Sequence, residues 1–392
     1  MLGIGYTIIF NKRLFIAHVL AGMLLVGMLS FGMVMPAIAD SSTELSQKNQ
    51  NSEKILNIYN WADYIDPQIL VDFEKEYGIE VNYDIYDASE VVDIKLMTGR
   101  SGYDVVVHSA SGSSRLQPVG IYHPIEYSRL SNWHHIDQQL VDMIKQHYSN
   151  GMQGVPYMWG TTGVTYNVEM VEQRMANAPL DSARLIFDPD VISKFADCGV
   201  SFLDDPQTVI ALAMIYLGYP ANSVNKQHLQ EAETLLKAVR PYIKYFSSTK
   251  MLLDLPSEEV CIAMSWSGDY SIASSRAAAA GVDIDLAYSI PQEGSILWVD
   301  NVYIPSDAPH RENAYLFLDY LLRPQVIAAA SNYIGYANAN RSATPYVDPE
   351  MTGDIAIYPD PKTLELLQTT EVLVPKLERL RSRTWTRIKT GL

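Results

Sequence analysis

From Ile55 onward, apolar and polar residues fall into short segments bounded by Pro, Gly and Asp. Ile55–Tyr59 alternates as a strand. Asp66-Pro67 then opens a helix that runs to Tyr77, with Gly78 as its stop. Ile79–Tyr86 alternates again, Ser89 is placed to cap a helix through Thr98, and Asp104–His108 reads as an apolar buried strand. This β-α-β-α-β order predicts a parallel sheet with helices on both faces.

Beyond the Gly/Pro-rich stretch Gly154–Gly163, which reads as a crossing between lobes, a second series begins. Val200–Leu203 is a strand, Asp205-Pro206 opens a very apolar helix to Leu217, and Gln227–Val239 is a further helix. Val260–Trp266 is a strand, followed by a helix from Asp269 to about Ala280. Strands Asp285–Ile290 and Leu297–Ile304 flank Pro291–Ser295. Helices over 311–322, 324–333, 362–370 and 374–381 close the chain. The pattern predicts an α/β protein of two lobes.

Residues 1–39 break the alternation. Lys12 and Arg13 precede an apolar run from Leu14 to Met35, and Pro36 is followed by Ala37-Ile38-Ala39, the small-x-small pattern of a signal-peptidase site. Cleavage after Ala39 and export to the periplasm are expected; an uncleaved anchor is the alternative, because a run of this length just spans a bilayer. Residues 40–54, rich in Ser, Gln and Asn, read as a flexible leader.

Composition sharpens the picture. The 392 residues are 48% hydrophobic and 19% charged, which suits a globular chain and excludes a disordered one. A net charge of −16, becoming −18 once Lys12 and Arg13 are removed, argues against nucleic acid and anionic membranes. A cationic ligand is compatible with it. Cys198 and Cys261 are the only cysteines, and in an exported chain they suggest one disulfide, with two buried free thiols as the alternative.

No G-x-S-x-G, H-E-x-x-H, P-loop or G-x-G-x-x-G occurs. His108 ends a strand without a companion at ligand spacing, and His134-His135, being adjacent, are expected on different sides of their element. No catalytic group, metal or cofactor is therefore assigned.

What recurs is an aromatic beside an acid at strand ends and helix starts. Trp61, Asp63 and Tyr64 follow the first strand. Ser109 and Ser111 follow the third, and Trp266 and Asp269 stand in Ser-Trp-Ser-Gly-Asp. Trp298 and Asp300 share one strand. Ligands of open α/β sheets bind beyond the carboxyl ends of strands, so these residues can converge on one cleft. Carboxylates grip ammonium groups and aromatic faces cover methylene stems, which is the chemistry of an organic polyamine. Each residue has a plainer reading. Asp205 and Asp269 are good helix N-caps, Asp63 a turn former, and Trp266 and Trp298 core residues.

At these residues the chain resembles the periplasmic putrescine- and spermidine-binding proteins of bacterial ABC transporters. The matching segments are Ile58-Tyr-Asn-Trp-Ala-Asp-Tyr64, Pro156-Tyr-Met-Trp-Gly-Thr-Thr-Gly163, Cys198-Gly-Val-Ser-Phe-Leu-Asp204, Ser265-Trp-Ser-Gly-Asp269, Trp298-Val-Asp-Asn301, Leu321-Leu-Arg-Pro324 and Gly335-Tyr-Ala-Asn-Ala-Asn340, in family order over nearly the whole mature chain. The resemblance implies a type II periplasmic-binding-protein fold. Lobe 1 would comprise residues 55–157 and 292–338, and lobe 2 residues 158–291 and 339–392. Trp61, Asp63, Tyr64 and Ser109 would contact ligand from one lobe, Trp266 and Asp269 from the other. Asp300 would hold an ammonium, Trp298 and Tyr336 would wall the methylene chain, and Cys198 and Cys261 would match a family disulfide.

One departure concerns Asp204-Asp-Pro-Gln-Thr208. Thr208 aligns where the family usually has a ligand-contacting Glu. Asp205 and Trp298 are the spermidine-type choices and Ser111 the putrescine-type one, so the resemblance leads us to expect spermidine to bind at least as tightly as putrescine. The expected function is a monomeric receptor that delivers a polyamine to an inner-membrane permease. A receptor of this fold for another small ligand, or a ligand-sensing partner of a membrane signalling protein, is the alternative.

Overall fold

The computed structural model describes residues 54–145, 148 and 151–391. The export segment 1–39, and the leader except for Lys54, lie outside the described residues. Among the described residues no helix is long and apolar enough to cross a membrane.

Strands are numbered in chain order, as are helices of nine residues or more. The first series is β1 (Ile55–Trp61), α1 (Pro67–Tyr77), β2 (Glu80–Tyr86), α2 (Ser89–Met97) and β3 (Val105–Ser109). β1 pairs in parallel with both β2 and β3, as the alternation predicts. Asp66 caps α1 by accepting from the Gln68 N–H, Pro67 occupies its first turn, and Gly78 ends it in the left-handed region at φ 65°. Ser89 does not cap α2: Ala88 holds that position with no side-chain bond, and Ser89 lies inside the first turn.

The stretch 154–163 makes its crossing as a strand. β4 (Val155–Asn167) is thirteen residues long and buried along its whole length. Its prolines and glycines serve packing. Pro156 sits at a bulge, where a missing N–H is tolerated. A Cβ on Gly160 would lie 2.6 Å from the Trp298 ring, and one on Gly163 would meet the Ser289 carbonyl.

Next come β5 (Val200–Phe202), α3 (Pro206–Tyr216), α4 (Lys226–Val239), β6 (Ile243–Phe246), β7 (Ile262–Trp266), α5 (Asp269–Ala279), β8 (Leu286–Ser289) and β9 (Ser295–Tyr303). The chain ends with α6 (Arg311–Leu321), α7 (Pro324–Ile334), β10 (Ala337–Asn338), β11 (Leu367–Gln368) and α8 (Pro375–Thr390). The helix expected over 362–370 is one turn, Pro361–Leu364, before the chain straightens into β11 beside Ser295 and Ile296. α8 outruns its expected end at 381, because Trp385 and Ile388 bury a stripe within its otherwise charged sequence.

The strand order is β2-β1-β3-β9-β4-β7-β5-β6. Both ends are parallel, but β9 and β4 run antiparallel to their neighbours in the middle. The sheet is therefore mixed.

Two large apolar cores flank this centre. One gathers Leu56, Phe73, Tyr157 and Phe317, the other Phe187, Phe202, Ile210 and Met264. β4 contributes Val155–Trp159 to the first and Val164 and Tyr166 to the second. β9 gives Ile296 to the second, Leu297, Val299 and Val302 to the first, and Tyr303 to a smaller cluster around Tyr59 and Tyr122. Ala339, Ala343, Val347 and Ile357, placed by sequence in lobe 2, pack in the first core. The disulfide Cys198–Cys261 ties the approaches to β5 and β7 inside the second.

Candidate functional site

The candidate residues sit where strands end or cross between the cores. Trp61 closes β1. Asp63 follows in the left-handed region at φ 54°, turning the chain so that Tyr64 points inward and is buried. Ser109 ends β3 and accepts the Gly112 N–H at 3.0 Å, capping one helical turn that also carries the half-buried Ser111. In the ladder, Ser109 lies opposite Asp300, Gly160 opposite Trp298, and Thr162 opposite Trp266.

Two buried carboxyl groups organise the centre. Asp269 accepts the Trp266 N–H at 3.0 Å and the Tyr336 hydroxyl at 2.9 Å. Asp300 lies beside the Tyr64 phenol, whose hydroxyl finds no partner of normal hydrogen-bond geometry but still partly offsets the effect of burial on the acid. Burial pushes the pKa of each acid up to about 7; among the described residues neither has a cationic partner at hydrogen-bond distance, and the Arg276 charge offsets only part of the rise at Asp269.

Aromatic rings fill the space between them. Tyr336 meets Tyr64 edge-on at 5.7 Å and Trp298 at 5.3 Å, and Tyr64 meets Tyr157 at 5.7 Å. Asp269, Tyr336, Tyr64 and Asp300 thus form one connected series, walled by Trp298. Tyr336 can approach because Gly268 lies beneath it, where a Cβ would fall 2.5 Å from the ring. Trp61 packs against Tyr86 at 4.4 Å. The indole N–H groups of Trp61 and Trp298 are buried without acceptors.

Two predicted residues stand apart. Asp63 is exposed and faces Arg276 of α5 at 3.5 Å, joining the β1 end to a helix that follows β7. Asp205 caps α3, accepting from Gln207 N at 2.9 Å, Thr208 N at 3.3 Å and the Thr208 hydroxyl at 2.8 Å. Three donors already occupy its two oxygens. Burial raises its pKa, the Thr208 hydroxyl opposes that rise, and Glu90 of α2 adds to it.

Sequence reasoning missed Tyr157, Gly160, Gly268 and Arg276. Tyr157 and Gly160 stood inside a motif already singled out, and Arg276 lies two helical turns after Asp269 on the same face. His108 is fully buried against the Tyr122 hydroxyl at 3.0 Å, and burial lowers its pKa to about 3. It is neutral and structural. His134 and His135 share one 3-10 turn with rings only 3.9 Å apart, so adjacency did not separate them. Among the described residues no cluster of three His, Cys, Asp or Glu could hold a metal ion. Two carboxyls separated by aromatic faces match a ligand with two cationic ends and an apolar stem.

Comparison with known proteins agrees with this chemistry. Residues 68–359 match the model of a family described as bacterial extracellular solute-binding protein. The chain is 42% identical to the putrescine-binding periplasmic protein PotF of Escherichia coli, over 86% of its own length and 92% of the relative's. It is 30% identical to the spermidine/putrescine-binding periplasmic protein of Salmonella typhimurium, over 82% and 87%. Among solved structures it is similar to the spermidine/putrescine ABC transporter substrate-binding protein PotD of Streptococcus pneumoniae, with a TM-score of 0.73 and 28% identity, covering 86% of this chain and 99% of that one.

Proposed function

The chain belongs to the bacterial extracellular solute-binding proteins and shares the type II periplasmic-binding fold of its neighbours, and from that premise we propose that it is an exported receptor for a linear diamine of the putrescine class. The observation that carries this reading is the pair of buried carboxyls, Asp269 and Asp300, joined through Tyr336 and Tyr64, with no cation at hydrogen-bond distance from either among the described residues. Each would hold one ammonium by a charge-assisted hydrogen bond, while Trp298, Trp266 and Trp61 cover the carbon chain. Ser109 would stand beside Asp300.

The two cores are taken as the two lobes. Asp300 and Tyr64 belong to one, Asp269 follows a strand of the other, and ligand favours closure because only the closed form offers both carboxyls at once. The Asp63–Arg276 pair would latch the rim; being exposed, it adds little energy by itself. No bond is made or broken. The signal peptide is removed after Ala39, and the loaded monomer hands its amine to an ABC permease in the inner membrane.

The resemblance favoured spermidine through Asp205. With both oxygens of Asp205 committed to its helix cap and a neutral Thr208 beside it, a third ammonium has little left to hold it, and a diamine fits better. Calorimetry on residues 40–392, stripped of ligand by unfolding and refolding, tests this with putrescine, cadaverine, spermidine and spermine. The diamines should bind tightest. Absence of binding to all four overturns the amine reading; a clear spermidine preference restores Asp205 as a ligand contact.

A further inference from the structure

α8 holds six basic residues and one acid in sixteen positions, within a chain whose net charge is −16. Three of the six are used inside the fold: Arg381 is buried, Arg387 pairs with Glu233 of α4 at 2.6 Å, and Lys389 pairs with Asp204 at 2.7 Å. The other three, Lys376, Arg379 and Arg383, are exposed, and among the described residues none of them has an ion-pair partner. Their spacing of three and then four puts them on one face, as a stripe about 10 Å long.

This stripe works against the helix that carries it. Like charges three and four residues apart repel, and Lys376 and Arg379 lie near the N-terminus, where the dipole disfavours cations. The one acid of α8, Glu378, accepts the Leu373 N–H at 2.9 Å. Local stability therefore gives no reason for the stripe.

Its place in the fold does. Just before α8 the Glu371 carbonyl accepts from the Gln207 side chain at 3.2 Å, and further along Trp385 and Lys389 both bond Asp204. Residues 204–207 are where β5 ends and α3 begins, and ligands of such sheets bind beyond the carboxyl ends of their strands. α8 thus borders the end of the second core that turns toward the amine site. We propose that Lys376, Arg379 and Arg383 dock an acidic extracytoplasmic loop of the permease that receives the amine, an assignment that rests on the receptor reading above.

A flat anionic membrane would meet the negative body of the protein together with the stripe, whereas a protruding loop can meet the stripe alone. Screening in physiological salt confines the field of three charges to about 8 Å, which also favours a fitted protein surface. The buried Trp385 and Ile388 leave α8 no apolar face to insert into lipid.

The test is putrescine uptake by cells whose own copy of the gene is replaced by parent or variant, with calorimetry and melting of the purified proteins. Lys376→Glu/Arg379→Glu/Arg383→Glu should cut uptake about tenfold or more, with putrescine affinity within about a factor of two and a melting temperature no lower than the parent's. Should reversal disturb folding, Lys376→Gln/Arg379→Gln/Arg383→Gln decides it, with uptake reduced in the same direction and melting at or above the parent's. Parental uptake in a variant that binds putrescine normally overturns the docking stripe alone; a parent that binds no amine in calorimetry overturns the receptor reading as well. Parent binding to phosphatidylglycerol vesicles that the variant loses would assign the stripe to lipid and overturn the proposal.

Discussion

Closing the two lobes without ligand buries Asp269 and Asp300 with no cation bonded to either, so unliganded closure should depend on pH. In an open form, exposed to water, each acid returns toward its ordinary value of 3.8; in the closed form burial holds it near 7. The closed form therefore binds more protons than the open one between these values, and closure becomes easier as pH falls through 7 toward 4. At pH 7 the cost of burying each acid is about 4 kcal/mol, and at pH 5 about 2 kcal/mol, taking 1.36 kcal/mol per pKa unit. For both acids the open-to-closed ratio should then shift by about a thousandfold over those two pH units. Small-angle scattering of ligand-stripped protein measures it. The radius of gyration should fall between pH 8 and pH 5 toward that of the putrescine-bound form. The Asp269→Asn/Asp300→Asn double variant, checked for folding by circular dichroism, should be compact throughout and should not bind putrescine. A radius independent of pH in the parent, or a double variant that still titrates like the parent, would refute the reasoning.

Three further outcomes follow from single contacts. Asp205→Ala should lower stability by about 1 kcal/mol, as loss of an N-cap does, and leave putrescine affinity within a factor of two; a selective loss for spermidine in titration would show that the cap oxygen also reaches ligand. Gly268→Ala should push the Tyr336 ring off the position from which it holds Asp269, weakening putrescine about tenfold or more at near-normal melting temperature, and unchanged affinity would remove Tyr336 from the site. Cys198→Ala/Cys261→Ala opens a loop closed across 63 residues, for which loop entropy gives a loss of about 4 kcal/mol in denaturant melts; a loss below about 1 kcal/mol would mean that the reduced chain keeps those ends together.

Much of the first half of the fold was legible because its strands and helices are locally punctuated. Asp66-Pro67 and Gly78 mark α1 at both ends, and the structure places it there. β4 was not legible, since Gly160, Gly163 and Pro156 are usually breakers and their reason for being in a strand lies on other strands, at Trp298, Ser289 and the bulge. β6, four residues long with only Ile243 fully buried, carries too little pattern to register. At the site, the aromatic–acid pairs could be read from composition and position. That Tyr336 reaches Asp269 across 67 residues, or that Thr208 consumes an oxygen of Asp205, could not, because both depend on where the chain returns after long excursions. The Thr208 contact is the reason the proposal turns from spermidine toward a diamine: the residue stands where an acid was expected and occupies an oxygen of its neighbour Asp205.

The long strands β4 and β9 pass from one core to the other at the same level, with Thr161 opposite Leu297 and Gly160 opposite Trp298. A ladder crossed in this way folds like a crease in a sheet of paper: it can bend along a line without losing the hydrogen bonds on either side. Trp298 stands on that line, so in the proposed receptor a wall of the amine site would also be part of the axle about which the two lobes turn. A substitution that reshapes the wall for a longer or bulkier amine will alter the angle and speed of closing as well. Selectivity and release rate are then traits of one piece of backbone, and a lineage adapting to a new amine must retune both in the same step.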